Sequence, residues 1–93
     1  MSLFEPGRIC VKTMGREAGS FCVIIEREDD RYVTITGPQR INGVRRRKCN
    51  TRHLEPLDEM LEISAGAEDE EIINALEEAD LIEQFRMKVR IEE

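Results

Sequence analysis

Apolar and polar positions alternate in short bursts through the first two-thirds of the chain, and the period then lengthens. Arg8-Ile9-Cys10-Val11-Lys12-Thr13-Met14 sets Ile9, Val11 and Thr13 against Cys10, Lys12 and Met14, the period-two pattern of a half-buried strand. Gly15 and Gly19 bracket a tight loop. Ser20-Phe21-Cys22-Val23-Ile24-Ile25 is a denser apolar run, which predicts a strand covered on both sides or lying at a barrel corner. Glu28-Asp29-Asp30-Arg31 reads as a polar turn, and Tyr32-Val33-Thr34-Ile35-Thr36 has the β-branched and aromatic makeup that strands favour. Gly37-Pro38 stops that strand. A loop from Gln39 to Gly43 leads into Val44-Arg45-Arg46-Arg47-Lys48-Cys49. His53-Leu54-Glu55-Pro56 reads as a short helical turn closed by proline, and Met60-Leu61-Glu62-Ile63 as a fifth strand. Five short strands with hairpin loops, and one turn before the last, predict a mainly β fold: a small SH3-like barrel over residues 1–64.

Beyond Ser64-Ala65-Gly66 the spacing becomes helical. Glu68-Asp69-Glu70-Glu71 precedes Ile72, Ile73, Ala75, Leu76 and Ala79, and acids in a first turn complement the helix dipole. Asp80 is expected to cap a second helical piece whose apolar residues are Leu81, Ile82, Phe85 and Val89. Residues 65–93 therefore form a short acidic helical tail in this reading. Its stripe of Ile72, Leu76 and Ala79 is expected to pack on the barrel or on a neighbouring protein.

Length and charge sharpen this picture. Ninety-three residues support one domain with little room for a second core. No stretch approaches the ~20 apolar residues that span a membrane, and Met1-Ser2-Leu3-Phe4-Glu5-Pro6 lacks the cationic start and apolar run of a signal peptide. A cytoplasmic chain is expected. Cys10, Cys22 and Cys49 form no Cys-x-x-Cys pair and are odd in number, so small buried free thiols are expected rather than a disulfide framework. The net charge of −6 divides unevenly: residues 1–55 hold eleven Lys/Arg against seven Asp/Glu, and residues 56–93 hold three against thirteen. Only the first part suits a polyanion, and the tail is expected on the opposite side from it.

Two segments carry candidate chemistry. The loop Gly15-Arg16-Glu17-Ala18-Gly19 can present backbone N–H groups and one arginine to a phosphate, its glycines permitting close approach. A plain hairpin loop that needs glycines only for its turn fits those residues equally well. Arg45-Arg46-Arg47-Lys48 places cations on both faces of a strand. Burying two unpaired cations is prohibitive, so the run is expected to bulge, project beyond the barrel or lie at a wetted edge. Charge also protects edge strands from aggregation, but four consecutive cations exceed that need and favour phosphate binding. The long arginines, with no intrachain acids evident near them, are expected to order on binding. His53, the single histidine, has Cys49 four residues away but no second ligand pair to complete a metal site. Packing or RNA stacking is its expected role. No nucleophile–base pair, phosphate-gripping loop with lysine, or convergent carboxylate pair is present, so no catalysis and no small-molecule substrate are expected.

Taken in order, the segments resemble a known family. Glu5-Pro6-Gly7-Arg8-Ile9-Cys10-Val11-Lys12 with Gly15–Gly19 and Cys22-Val23-Ile24 looks like a KOW motif. Val33-Thr34-Ile35-Thr36-Gly37-Pro38, Asn42-Gly43-Val44-Arg45-Arg46-Arg47 and Asn50-Thr51-Arg52-His53-Leu54-Glu55-Pro56 add wording similar to the fourteen-e family of large-subunit ribosomal proteins. The resemblance covers residues 5–64 closely and the tail loosely. It implies an SH3-like barrel, placement on large-subunit ribosomal RNA beside other ribosomal proteins, no enzymatic activity and no cofactor. The RNA-binding residues it implies are Gly15, Arg16, Gly19, Thr36, Arg45, Arg46, Arg47, Lys48, Arg52 and His53. A KOW factor acting outside the ribosome and an SH3-like protein-interaction module are the competing readings. The latter is disfavoured by one tyrosine, three phenylalanines and no tryptophan to line a peptide groove.

Overall fold

The computed structural model describes residues 3–90. Its strands are β1 (Arg8–Lys12), β2 (Phe21–Arg27), β3 (Tyr32–Thr36), β4 (Arg47–Asn50) and β5 (Leu54–Met60). They form one antiparallel sheet in the order β4-β3-β2-β1-β5. A single 3-10 turn, Thr51–His53, joins the two edge strands, which completes the SH3-like arrangement that the pattern predicts.

Several elements differ from the sequence reading. The fifth strand is Leu54–Met60 rather than Met60–Ile63, and the helical turn is Thr51–His53 rather than His53–Pro56. The Asn50 side chain accepts from the Arg52 N–H at 2.9 Å and so starts the turn early. Pro56 is then free to sit inside β5, because an edge strand needs donors on one side only. The predicted loop at 39–43 also contains a helical turn, α1 (Gln39–Asn42), closed by Gly43 at φ 85°. Of the predicted Val44–Cys49 strand, only the part from Arg47 pairs in the sheet, extending to Asn50.

The first strand is not half-buried but covered on both faces. Ile9, Val11, Phe21, Val23 and Ile25 join Leu61, Ala67, Ile72, Leu76 and Phe85 in one apolar cluster. The alternate residues Cys10, Cys22 and Ile24 join Val33, Ile35, Val44, Cys49 and Leu54 in a second cluster inside the barrel. The tail is what covers the outer face. Within α2 (Asp69–Glu78) the buried residues are Ile72, Ile73 and Leu76, while Ala79 stays exposed. Each large side chain buried this way stabilises by roughly 1.5–3 kcal/mol.

The end of α2 has a definite chemistry. Leu81 N–H donates to the Leu76 carbonyl at 2.8 Å and Asp80 N–H to the Glu77 carbonyl at 3.1 Å, with Asp80 at φ 60°. This is a Schellman closure in which a short polar side chain takes the left-handed position usually given to glycine. Asp80 thus ends α2 instead of capping the next helix, α3 (Ile82–Phe85), which has no side-chain cap. Phe85 is wholly buried and stacks on Phe21 with ring centroids 5.6 Å apart. Val89 lies beyond α3, where its N–H donates to the Gly19 carbonyl at 2.7 Å.

The three cysteines are free and buried. Burial pushes the Cys10 thiol up to about 12 and raises Cys22 and Cys49 as well.

Candidate nucleic-acid interface

The loop between β1 and β2 is pinned at its base. Gly19 N–H donates to the Lys12 carbonyl at 2.7 Å, and Lys12 N–H donates to the Ser20 carbonyl at 2.9 Å. Gly15 stands exposed at φ 84° with open space among the described residues where a β-carbon would point, and Arg16 is exposed beside it. Gly19 differs: it is buried, and the backbone carbonyl of Val89 occupies the place a β-carbon would take. The close approach that Gly19 permits is therefore made by the chain's own tail.

Glu17 organises the charge here. Its carboxylate lies 3.5 Å from the Lys12 ammonium, which is almost wholly buried, and also pairs with Arg47. A buried ammonium without such a partner would be strongly disfavoured. An open cleft of about 480 Å³ lies between the loop and the arginine run, lined by Arg16, Glu17, Gly43, Arg45 and Arg47.

The arginine run takes up its position because Val44 is wholly buried. Gly37 N–H donates to the Val44 carbonyl at 2.8 Å, and Val44 N–H donates to Asn42 Oδ1 at 3.1 Å. The next four residues, Arg45 to Lys48, are all exposed, on the approach to an edge strand and along it. Contrary to the sequence reading, two of the arginines have intrachain acids. Arg46 reaches Asp69 at 3.1 Å and the Ala67 carbonyl, and Arg47 reaches Glu17. Arg45 has no carboxylate partner among the described residues. Lys48 lies 5.1 Å from the centroid of the Tyr32 ring.

The tail therefore does not lie opposite the basic face. Its first turn abuts that face through Asp69 on Arg46 and through Glu70 on Arg40 at 3.2 Å. Thr36 is likewise not at the surface. It is wholly buried, and its hydroxyl donates to Asp69 at 3.1 Å, so in the folded chain it positions that acid. Arg52 is exposed, and His53 is half-buried with its carbonyl accepting from Thr13 N–H at 2.9 Å.

No family model matches the chain. Among individual proteins, it is 54% identical over 92 residues to "Large ribosomal subunit protein eL14" of Hyperthermus butylicus, covering 99% of this chain and 94% of that protein. The protein of the same name from Saccharolobus solfataricus is 52% identical over 91 residues, covering 98% and 95%. The one from Saccharolobus islandicus is 50% identical over the same length, again covering 98% and 95%. The chain belongs to the eL14 family. The likeness extends through the acidic tail as well as the barrel, so the tail is part of what this eL14 chain shares with those relatives.

Glu17 and Asp69 belong to the basic face although neither is among the residues expected there from the sequence. An acid inside a loop suited to phosphate was the available signal for Glu17. Asp69 carried none, because its partner lies 23 residues away and meets it only after the tail docks.

Proposed function

We propose that this chain is a structural, non-enzymatic constituent of the large ribosomal subunit, and that it binds ribosomal RNA along the edge shared by the KOW loop and the arginine run. The observation that carries the RNA reading is the cleft between them. Arg16 and Arg45 flank it without carboxylate partners among the described residues, while Glu17 holds Arg47 at its wall. Such a surface offers charge-assisted donors to phosphate oxygens without the cost of burying free cations. Membership of a family named for the large ribosomal subunit supports assembly there, with neighbouring ribosomal proteins as the further partners. Gly15, Arg16, Arg45, Arg46, Arg47, Lys48, Arg52 and His53 are the residues assigned to RNA in this proposal. Gly19 and Thr36 support them from beneath.

An SH3-type peptide groove is disfavoured by the aromatic residues themselves. Phe21 and Phe85 are buried, and the Tyr32 ring has Lys48 close by.

The test is a titration of the full chain against a large-subunit RNA fragment at several salt concentrations. Arg45→Gln should lower affinity and reduce the log–log salt slope by ~0.7–0.9, the value for one phosphate contact. Arg46→Gln and Arg47→Gln should each change it less, because those arginines exchange a carboxylate for a phosphate. An unchanged slope for Arg45→Gln would remove the arginine run from the RNA surface.

A further inference from the structure

We propose that Arg31, Asn50 and Arg52 form a second, separate cleft that grips a backbone phosphate of the same RNA. The three residues line a recess of about 240 Å³ at the far end of the β3–β4 edge. This inference rests on the RNA-binding reading above, which assigns Arg52 to RNA, and deepens it by joining Arg52 with Arg31 and Asn50 in one phosphate cleft.

The fold brings these residues together by backbone pairing. Tyr32 is the register partner of Asn50, and Thr51 N–H donates to the Arg31 carbonyl at 2.8 Å. Arg31, at the entry to β3, is thereby held beside the 3-10 turn that carries Arg52. The Asn50 amide is oriented by its own bond: its oxygen accepts from Arg52 N–H, which leaves the NH2 group as a donor. The recess is thus lined by two arginines and an asparagine whose amide NH2 remains a donor.

Neighbouring acids approach the recess without forming an ion pair with its arginines, although ionised Asp29 acts electrostatically on Arg31. Asp29, next but one to Arg31, turns Oδ1 to the backbone N–H groups of Arg31 and Tyr32 at 2.7 and 2.8 Å, and those bonds hold its carboxyl below the usual range. Asp30 pairs with Arg27 at 3.4 Å. Neither Arg31 nor Arg52 has a carboxylate within ion-pair distance among the described residues. Arg40, Arg46 and Arg47 each have one. A recess bordered by two arginines and an amide NH2 fits a phosphodiester oxygen pair, which accepts and carries negative charge.

The recess is also distinct from the KOW-loop cleft. Three residue steps along β4 separate Arg47 from Asn50, about 10 Å at the usual rise per strand residue. That exceeds the ~8 Å screening length at physiological ionic strength, so the two clefts should act on different phosphates and add.

The same RNA titration tests this with the double variant Arg31→Gln/Arg52→Gln beside Arg45→Gln. Both side chains are exposed, so thermal melting of the double variant should match the parent. Its salt slope should fall by ~0.7–0.9, one phosphate contact. In the parent chain, the Nε–H resonances of Arg31 and Arg52 should shift when RNA is added. A double variant with the parent's slope, alongside an Arg45→Gln variant with a reduced one, would overturn the second cleft and remove Arg52 from the RNA surface, while RNA binding along the KOW-loop edge would stand. No RNA binding by the parent chain would sink both. Shifts of those resonances on adding poly-glutamate, with none on adding RNA, would make the recess a site for acidic peptide and overturn the proposal.

Discussion

Gly15 and Gly19 share a left-handed backbone, at φ 84° and 92°, but have opposite surroundings. At Gly15 any side chain would enter open space, so Gly15→Ala should cost only the left-handed strain of about 1–2 kcal/mol. At Gly19 the same strain is joined by collision with the Val89 carbonyl, a backbone atom that cannot turn aside. Gly19→Ala should therefore lose clearly more stability, above about 3 kcal/mol, when the two variants are unfolded in denaturant. Equal losses would mean that Val89 does not press on Gly19. Cys10 supports a second expectation at this scale. Its thiol ionises at about 12 in the fold against an ordinary value of 9.0. Between those values the unfolded chain holds fewer protons than the folded one, so stability is unaffected below the lower value and falls as pH rises through the interval. Melting temperature followed from about pH 8 to about pH 11 should decline, and Cys10→Val should make that decline shallower. Parallel curves for the two proteins would exclude Cys10 as a source of the slope.

Among the elements, α2 has two tasks that its sequence shows unequally. Its helical spacing of Ile72, Ile73 and Leu76 is legible, since a run with that period has one face to bury. The same helix delivers Asp69 to Thr36 and Arg46, and nothing local in the sequence marks that contact. The pair is partly exposed, at 36% and 39% for its two side chains, so it contributes only about 0.2–1 kcal/mol. If Arg46 must release Asp69 to reach a phosphate, Asp69→Asn removes that competition while its amide oxygen still accepts from Thr36. RNA affinity should then rise by up to about fivefold, the equivalent of that energy. A titration in which Asp69→Asn binds no more tightly than the parent would mean that Arg46 keeps its place on the tail when RNA is bound. β5 illustrates the reverse case. Glu55, Pro56 and Asp58 interrupt its apolar pattern, and only its edge position makes a proline there compatible with a strand.

At the scale of the whole molecule, the alternation of β1, the dense apolar run of β2 and the β-branched makeup of β3 are local and made those strands readable, although the second cover over β1 was not. The relation between the two charged parts was not readable either, because it depends on docking. The sums of +4 and −10 suggested two remote surfaces, yet Arg46–Asp69 and Arg40–Glu70 join them across the boundary. The proposed RNA edge is consequently a mixed surface whose cations are spaced and partly held by the protein's own acids. The twofold covering of β1 and β2 has one more consequence. Ile9, Val11, Phe21, Val23 and Ile25 are among the earlier residues to be synthesised, whereas Ile72, Leu76 and Phe85, which cover them, come near the end. During translation, if the strands pair before the tail is available, the sheet must wait with a greasy outer face in contact with water. Such transiently exposed apolar surface is where growing chains stick to one another, so the interval before the last helices emerge is when this protein most needs a chaperone.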